Sequence, residues 1–188
     1  HGDLGVCWRL ARSLGALGMR VRLWVDDASA LAWMAPAGHP QVQVLPWPLT
    51  APGDLADVVI EAFGCELPHS YQVMLGQNPQ SCIWLNLEYL SAEAYVARMH
   101  GLPSPVLSGP AKGCTKWFFY PGFTAQTGGL LREPGLPMPS FAPGAQPLTV
   151  SLFCYEPVNL AAMLQRLSEL AHGVHLKITA GRAQQAVA

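Results

Sequence analysis

Charged residues are scarce in this 188-residue chain, and neither sign prevails. Eleven Lys and Arg residues stand against twelve Asp and Glu residues, so the formal net charge is −1 and only 12% of the chain is charged. A nearly neutral protein does not attract nucleic acid through a general electrostatic field, and we therefore expect no nucleic-acid partner. About half of the residues are apolar (51%), which is enough to build a core.

The usual signs of metal sites, disulfide frameworks and membrane insertion are also missing. The five cysteines form no Cys-x-x-Cys pair, and the six histidines show no metal-ligand spacing. We interpret the cysteines as small buried residues of a reducing cytoplasm: Cys7, Cys65, Cys82, Cys114 and Cys154. No apolar run reaches transmembrane length and no signal peptide opens the sequence, so we expect a cytoplasmic protein without a membrane partner or a bound metal.

The first segment of the chain carries the clearest local pattern. Gly2 and Gly5 flank the carboxylate of Asp3. Apolar residues then recur at helical spacing, at Val6, Leu10, Leu14 and Leu17. We expect Gly15 and Gly18 to end this helix, because glycine accepts the left-handed backbone that a helix stop often needs.

An alternating run at 19–26 follows and predicts a strand, so the local order is a glycine loop, a helix and a strand. In such units the loop backbone approaches ligands closely and the helix N-terminus offers unpaired N–H groups, which would place Asp3 at the mouth of a cleft. Two roles are open for Asp3. It can cap the helix, for about 1 kcal/mol, or serve as a functional carboxylate, and the spacing alone favours the cap.

Strands and helices alternate along the next hundred residues. Strands are predicted at 41–45, 58–63, 82–87 and 117–120, and helices at 29–34, 68–75 and 91–99. This alternation is typical of a doubly wound α/β sheet, whose ligands bind at the carboxyl ends of the strands. The fold class predicted from the pattern is therefore α/β.

Two glutamates fall at predicted strand ends. Glu61 closes one buried strand, and Glu88 with Tyr89 follows another. Both carboxylates would then face the cleft, but each can equally bind a neighbouring helix N-terminus or an Arg. Tyr89 can likewise be a core tyrosine with a satisfied hydroxyl group.

The second half of the chain is rich in proline and glycine from 101 to 143. Gly128 and Gly129 can place backbone N–H groups near a sugar or phosphate, although a flexible connection explains them more simply. We interpret 137–147 as a hinge, which divides the chain into domains at 1–146 and 147–188. The second domain opens with a predicted strand at 148–153, a helix at 160–170 and a strand at 174–179. Phe153 and Tyr155 lie at its strand-to-helix turn, where core packing is the alternative role for Phe153.

Five blocks of sequence resemble one known family. They are 2–12 (GDLGVCWRLAR), 86–93 (NLEYLSAE), 100–105 (HGLPSP), 118–133 (FFYPGF with TGGLLRE) and 151–157 (SLFCYEP). In this order they resemble the protein-arginine rhamnosyltransferases that modify elongation factor P. The similarity spans nearly the whole chain.

The resemblance implies a GT-B glycosyltransferase with two Rossmann-like domains. Family members move L-rhamnose from dTDP-β-L-rhamnose to one arginine of elongation factor P, with inversion and without a metal or another cofactor. Asp3 matches the family's proposed catalytic carboxylate, and Glu88 and Tyr89 are implied to face the acceptor. The resemblance puts the remaining candidates on the donor side: Gly2, Gly5, Gly128, Gly129, Phe153 and Tyr155, the two aromatic rings being suited to stack on thymine.

The chain departs from the family at both ends. A second Asp usually precedes the Gly-Asp-x-Gly motif, and His1 stands where an aromatic residue is usual. No later block matches the acidic and arginine-containing segment that binds the nucleotide diphosphate. We therefore interpret the 188 residues as a fragment and expect them to be inactive alone, since nothing would stabilise the charge of the leaving group.

Other functions remain open at this point. A GT-B transferase with another nucleotide sugar and acceptor would reveal itself by its donor preference. A non-catalytic module that only binds the acceptor protein would show binding without turnover. A dinucleotide-dependent dehydrogenase is disfavoured, because no Gly-x-Gly-x-x-Gly follows a predicted strand.

Overall fold

The computed structural model describes residues 1–47, 53–133, 147–154, 158–170 and 173–187. The chain divides into two compact units, His1–Leu136 and Pro137–Ala188. The domain boundary predicted after residue 146 lies outside the described residues, as does nearly all of the hinge predicted at 137–147.

The first helix, α1, spans Gly2–Ala16 and buries Trp8, Ala11 and Gly15 along one face. Gly18 follows it with φ +87°, and its N–H donates to Gly15 O at 2.9 Å. The N–H of Met19 reaches Leu14 O at 3.2 Å, which completes a Schellman motif and confirms the predicted stop at Gly18. Gly15, in contrast, lies inside the helix, where an added Cβ would come 2.8 Å from the His39 ring.

The predicted glycine loop in front of this helix is wrong, because Gly2 and Gly5 belong to the first turns of α1. Helix propensity counts against glycine, but tertiary packing overrides it here. A Cβ on Gly5 would come 3.0 Å from Cε of Met34, so the absence of a side chain lets the segment around Met34 approach the helix.

Within the described residues of the first unit lie six strands and three further helices. They are β1 (Val21–Val25), α2 (Leu31–Met34), β2 (Val42–Pro46), β3 (Val58–Ala62), α3 (His69–Gln77), β4 (Ile83–Leu87), α4 (Val96–Met99), β5 (Pro103–Pro105) and β6 (Thr115–Phe119). Strands β1 and β2 pair in parallel, and a second sheet has the order β3-β4-β6-β5. Only β5 runs antiparallel to its neighbour in that sheet, so the α/β class with mainly parallel strands is confirmed.

Helix α3 covers the second sheet and forms the buried core with it. Tyr71 and Leu75 of α3 pack with Trp84 of β4 and with Ala111 and Cys114. This packing holds β3 through Val59 and β4 through Trp84, and the candidate site lies at the carboxyl ends of these two strands.

The second unit contains β7 (Leu148–Leu152), α5 (Leu160–Ser168), β8 (Val174–Ile178) and α6 (Arg182–Val187). Strands β7 and β8 pair in parallel across α5, which confirms the predicted strand–helix–strand order. Such a parallel pair joined by a helix is the basic unit of an α/β sheet.

Candidate active site

Three segments of the first unit meet at one point. They are the first turn of α1, the turn after β3 and the residues after β4. Asp3 comes from the helix, Phe63 from the turn and Tyr89 from the end of β4. Since β3 and β4 are parallel neighbours, the segments that follow them leave the sheet at the same edge, where ligands of α/β folds bind.

Asp3 lies exposed in the first turn of α1, but it is not the cap. The N-cap position is occupied by His1, and no side chain caps the helix. The carboxylate of Asp3 instead accepts a hydrogen bond from the Tyr89 hydroxyl, with 3.1 Å between Oη and Oδ2. The capping role considered for Asp3 is therefore wrong. Its negative charge still lies at the positive end of the helix dipole.

Tyr89 is an exposed side chain held on two sides. Its ring is 54% exposed and stacks on Phe63 with 4.5 Å between centroids and 23° between planes. The core position considered for Tyr89 is thus wrong. The hydrogen bond to Asp3 raises the pKa of the Tyr89 phenol, and the neighbouring negative charge acts in the same direction. The phenol consequently stays protonated and remains a donor at neutral pH.

Glu88 is partly buried at the end of β4. Its N–H donates to Phe119 O at 2.9 Å, which extends the β4–β6 pairing by one residue. Its carboxylate accepts a hydrogen bond of 2.6 Å from Nδ2 of the buried Asn86. The structure therefore places Glu88 beside Tyr89 and fixes its side chain from within the sheet.

Glu61 plays a structural part. It lies within β3, only 2% exposed, and its carboxylate forms an ion pair with Lys116 of β6. It also accepts the N–H of Leu67 at 2.9 Å, and Lys116 lies 4.4 Å from the centre of the Trp84 ring. Because buried carboxylates require such partners, these contacts explain Glu61 without a role in the cleft.

Cys7 lies one turn along α1 from Asp3. Burial raises the pKa of its thiol to about 11, with smaller contributions from Cys65 and from Asp3. A thiol with this pKa is protonated at neutral pH and is a poor nucleophile. All five cysteines of the chain are free thiols, and Cys7 and Cys65 therefore take part in no disulfide.

Gly128 and Gly129 belong to a closed loop after β6. The N–H of Gly128 donates to Tyr120 O at 2.8 Å, and a Cβ on Gly128 would come 2.4 Å from the Phe119 ring. Gly129 has φ +73°, and its carbonyl accepts the N–H of Gly122 at 3.1 Å. Packing and turn geometry thus account for both glycines, and the N–H of Gly128 is already paired. Their contact with a donor stays a prediction.

An ion pair connects α1 to the segment after this loop. The guanidinium of Arg9 binds both carboxylate oxygens of Glu133 and also reaches Leu131 O at 3.3 Å. Arg12 lies 3.6 Å from the same carboxylate. The hydrogen bond from Arg9 lowers the pKa of Glu133 to about 2. The two ends of the first unit are thereby joined close to the helix that carries Asp3.

The second unit shows one of its two predicted ligand residues. Phe153 follows β7 and is 81% exposed, so the core role considered for it is wrong. Tyr155 lies outside the described residues. The donor-side roles of both stay predictions.

Within the described parts of the chain, no three His, Cys, Asp or Glu residues are grouped so as to hold a metal ion. None of the helices described there is long and apolar enough to cross a membrane.

The family model described as "Elongation-Factor P (EF-P) rhamnosyltransferase EarP" matches residues 1–188. The chain belongs to this family. The chain is similar to two proteins named protein-arginine rhamnosyltransferase. The one from Pseudomonas putida is 42% identical over 97% of the chain and 55% of the relative. The one from Pseudomonas aeruginosa is 48% identical over 72% of the chain and 38% of the relative. A relative of the same name in Shewanella oneidensis is 42% identical over 71% of the chain and 37% of its own length. The chain thus spans about half the length of these curated relatives, or less.

Two features of the candidate site could not be predicted from the sequence. Phe63 was predicted as the last residue of the strand at 58–63, but it follows β3 in a turn, and no local pattern indicates that its ring lies against Tyr89. The pair of Arg9 and Glu133 joins residues 124 positions apart. Arg9 and Glu133 each lie in a block that resembles the family, and this is the one sign that could have drawn attention to them.

Proposed function

We propose that this chain provides the acceptor side of an inverting GT-B glycosyltransferase. The enzyme would transfer L-rhamnose from dTDP-β-L-rhamnose to an arginine of elongation factor P. The observation that carries the proposal is the exposed carboxylate of Asp3, which the Tyr89 hydroxyl holds at 3.1 Å beside the carboxyl edge of the sheet. Membership of the rhamnosyltransferase family supports the reaction type.

Arginine is a difficult nucleophile, because its guanidinium group keeps its proton at neutral pH. A carboxylate close to the attacking nitrogen orients the group and accepts a proton as the new bond makes that nitrogen acidic. Asp3 suits this role. Tyr89 binds its Oδ2, and we assign Oδ1 to a guanidinium N–H of the acceptor.

The proposed step forms a bond between a guanidinium nitrogen and C1 of the rhamnose. It breaks the bond between C1 and the diphosphate oxygen, whose electron pair leaves with dTDP. The proton released from nitrogen passes to Asp3. Because nitrogen attacks from the face opposite dTDP, a β-linked donor gives an α-linked product.

We assign the acceptor contacts to Tyr89 and Glu88. The face of an exposed tyrosine ring is a good surface for a planar guanidinium, which stacks on aromatic rings. One face of Tyr89 lies against Phe63, and 54% of the side chain is exposed. Glu88 would add a second carboxylate on the same strand end.

We assign the donor contacts to the six residues that the family resemblance implies. The first turn of α1 with Gly2 and Gly5, and the loop with Gly128 and Gly129, would lie near the sugar and phosphates. Phe153 and Tyr155 would stack on thymine. We further propose that no metal takes part and that helix N-termini and arginines stabilise the diphosphate instead. An enzyme that modifies a translation factor would act in the cytoplasm.

Mass spectrometry of elongation factor P tests the function directly. The protein is expressed from its complete reading frame and incubated with the acceptor and dTDP-β-L-rhamnose, or in parallel with dTDP-glucose or UDP-glucose. We expect one rhamnose mass shift, located on an arginine and unchanged by a chelator. Transfer of a different sugar would contradict the donor, and binding of elongation factor P without any mass shift would contradict the catalytic role.

A further inference from the structure

The turn after β3 has an unusual backbone. Phe63 has φ +57° and Gly64 has φ +76°, and the N–H of Cys65 donates to Ala62 O at 3.2 Å. Two successive residues with positive φ are the pattern of a type I′ turn, in which Asn, Asp and Gly are favoured. Phe63 is the single non-glycine residue with positive φ among the residues described. For a bulky aromatic side chain this conformation is strained.

The strained turn directs the Phe63 ring to one place. The N–H of Phe63 donates to Leu87 O at 2.9 Å, so the backbone still follows the pairing of β3 with β4. The chain then reverses, and the ring lies nearly parallel to that of Tyr89, with 4.5 Å between centroids. Residues held in rare backbone conformations occur preferentially at functional sites, where the surrounding structure maintains them.

Tyr89 needs such support. Its side chain is 54% exposed, and an exposed side chain samples several rotamers unless contacts hold it. Its hydroxyl can donate to Asp3 only in the rotamer that brings it to 3.1 Å. The stack on Phe63 restricts the ring to that orientation, because stacked aromatic rings add attraction beyond the burial of area.

We infer that Phe63 is a positioning residue: its ring fixes the phenol of Tyr89 against the carboxylate of Asp3, and the left-handed turn serves to deliver that ring. The consequence for sugar transfer rests on the proposed function. The contact itself does not. Phe63 touches neither the acceptor nor the donor in this mechanism; it acts through Tyr89.

Core packing alone does not explain the conformation of Phe63. The Phe63 side chain is only partly buried, and a turn needed for the chain reversal alone would accept Gly or Asn without strain. Phenylalanine is thus unfavourable for the positive φ at position 63, but its ring is well suited to stack on Tyr89.

Titration of Tyr89 tests the contact independently of activity. The five tyrosines are labelled with ¹³C at Cζ, and Tyr89→Phe identifies the signal of Tyr89. In the wild-type protein the pKa of Tyr89 should lie above the ordinary tyrosine value, because the phenol donates to Asp3. The pKa should fall towards the ordinary value in Phe63→Leu and in Asp3→Asn.

Phe123→Leu is the matched control, since Phe123 is 62% exposed and belongs to the loop after β6. It should leave the titration of Tyr89 unchanged. If Phe63→Leu does not fold, Phe63→Asn replaces it, because Asn tolerates positive φ and removes the ring. An unchanged titration of Tyr89 in the folded variant would overturn the inference.

Kinetics separate positioning from a merely structural role. We expect Phe63→Leu to lower kcat about tenfold or more, since small misplacements at a reacting centre cost up to about 100-fold. The KM for dTDP-β-L-rhamnose should not change, and Phe63→Tyr should restore most of kcat. Equal kcat in Phe63→Leu and wild type would overturn the inference. If the wild-type protein transfers no rhamnose, the proposed function fails, and the titration alone decides the role of Phe63.

Discussion

Tyr89 and Asp3, 86 positions apart in the sequence, are joined by a hydrogen bond of 3.1 Å. It links the end of β4 to the first turn of α1. The phenol donates and the carboxylate accepts, so the bond orients the group proposed as the base.

Tyr89→Phe should weaken transfer without unfolding the protein. The substitution keeps the ring and its stack on Phe63 but removes the hydroxyl that holds Asp3. We expect kcat to fall by about tenfold to 100-fold, the range for a disturbed catalytic geometry. Circular dichroism and kcat measured on the same preparation check this. Tyr95→Phe is a suitable control, because Tyr95 precedes α4 and packs edge-on against Tyr120. Equal losses in both variants would contradict the special role of Tyr89.

The Tyr89 bond also predicts a pH dependence on the alkaline side. Since the pKa of Tyr89 is raised in the folded protein, the bond contributes its full stability below the ordinary tyrosine pKa of about 10. That contribution is lost as the pH rises through the folded pKa. The difference in unfolding free energy between wild type and Tyr89→Phe should therefore be constant near neutrality and shrink above about pH 10. A difference that already shrinks below pH 8 would contradict the assignment.

Glu133 predicts the opposite dependence on the acid side. Its pKa is lowered from 4.5 to about 2 by the hydrogen bond from Arg9, so its contribution is present above pH 4.5 and lost as the pH falls towards 2. Melting temperatures of wild type and Glu133→Gln should differ at pH 7 and converge as the pH falls from 4.5 towards 2. The effect should be modest, since the Arg9 side chain is 45% exposed. Glu169→Gln, which affects an open surface pair with Arg166, should show almost no difference at either pH.

Lys116→Met should destabilise the first unit strongly. Glu61 is only 2% exposed and would lose its cationic partner, and uncompensated buried charges cost about 3–5 kcal/mol. Urea unfolding at pH 7 measures the loss. The double variant Lys116→Met with Glu61→Leu should recover a large part of it, because the remaining carboxylate is then gone. A double variant no more stable than Lys116→Met alone would show that the ion pair is not the cause.

Much of the architecture could be predicted from the sequence, because it depends on local patterns. The apolar spacing of α1, the stop at Gly18 and the alternation of strands with helices all belong to segments of ten to twenty residues. Strand β5 was missed, since Pro103 and Pro105 argue against a strand; it lies at the sheet edge, where proline is tolerated.

The site could be predicted only in part. The sequence pointed to Asp3, Glu88 and Tyr89, and the structure places Asp3 in contact with Tyr89. The sequence-based prediction put Gly2 and Gly5 in a loop, whereas both lie in α1, and Gly5 packs there against the distant Met34. The role of Phe63 could not be predicted from the sequence, because turn propensities favour Asn or Gly at a position with positive φ. Contacts between residues far apart in sequence leave no local pattern to detect.

The role of Asp3 rests on one comparison more than on any other. Asp3→Asn keeps the shape of the side chain and can still accept the bond from Tyr89, but it cannot take a proton from the acceptor. Asp57→Asn is the matched control, since Asp57 is an exposed carboxylate at the amino end of β3, away from the edge that carries the site.

Both variants are expressed from the complete reading frame and assayed with elongation factor P and dTDP-β-L-rhamnose, with the rhamnosylated fraction followed by mass spectrometry over time. Removing a positioned base typically costs about 10²–10⁴-fold, so Asp3→Asn should lose at least about 100-fold in rate while Asp57→Asn retains the wild-type rate. A folded Asp3→Asn protein that transfers rhamnose at the wild-type rate would contradict the catalytic role of Asp3.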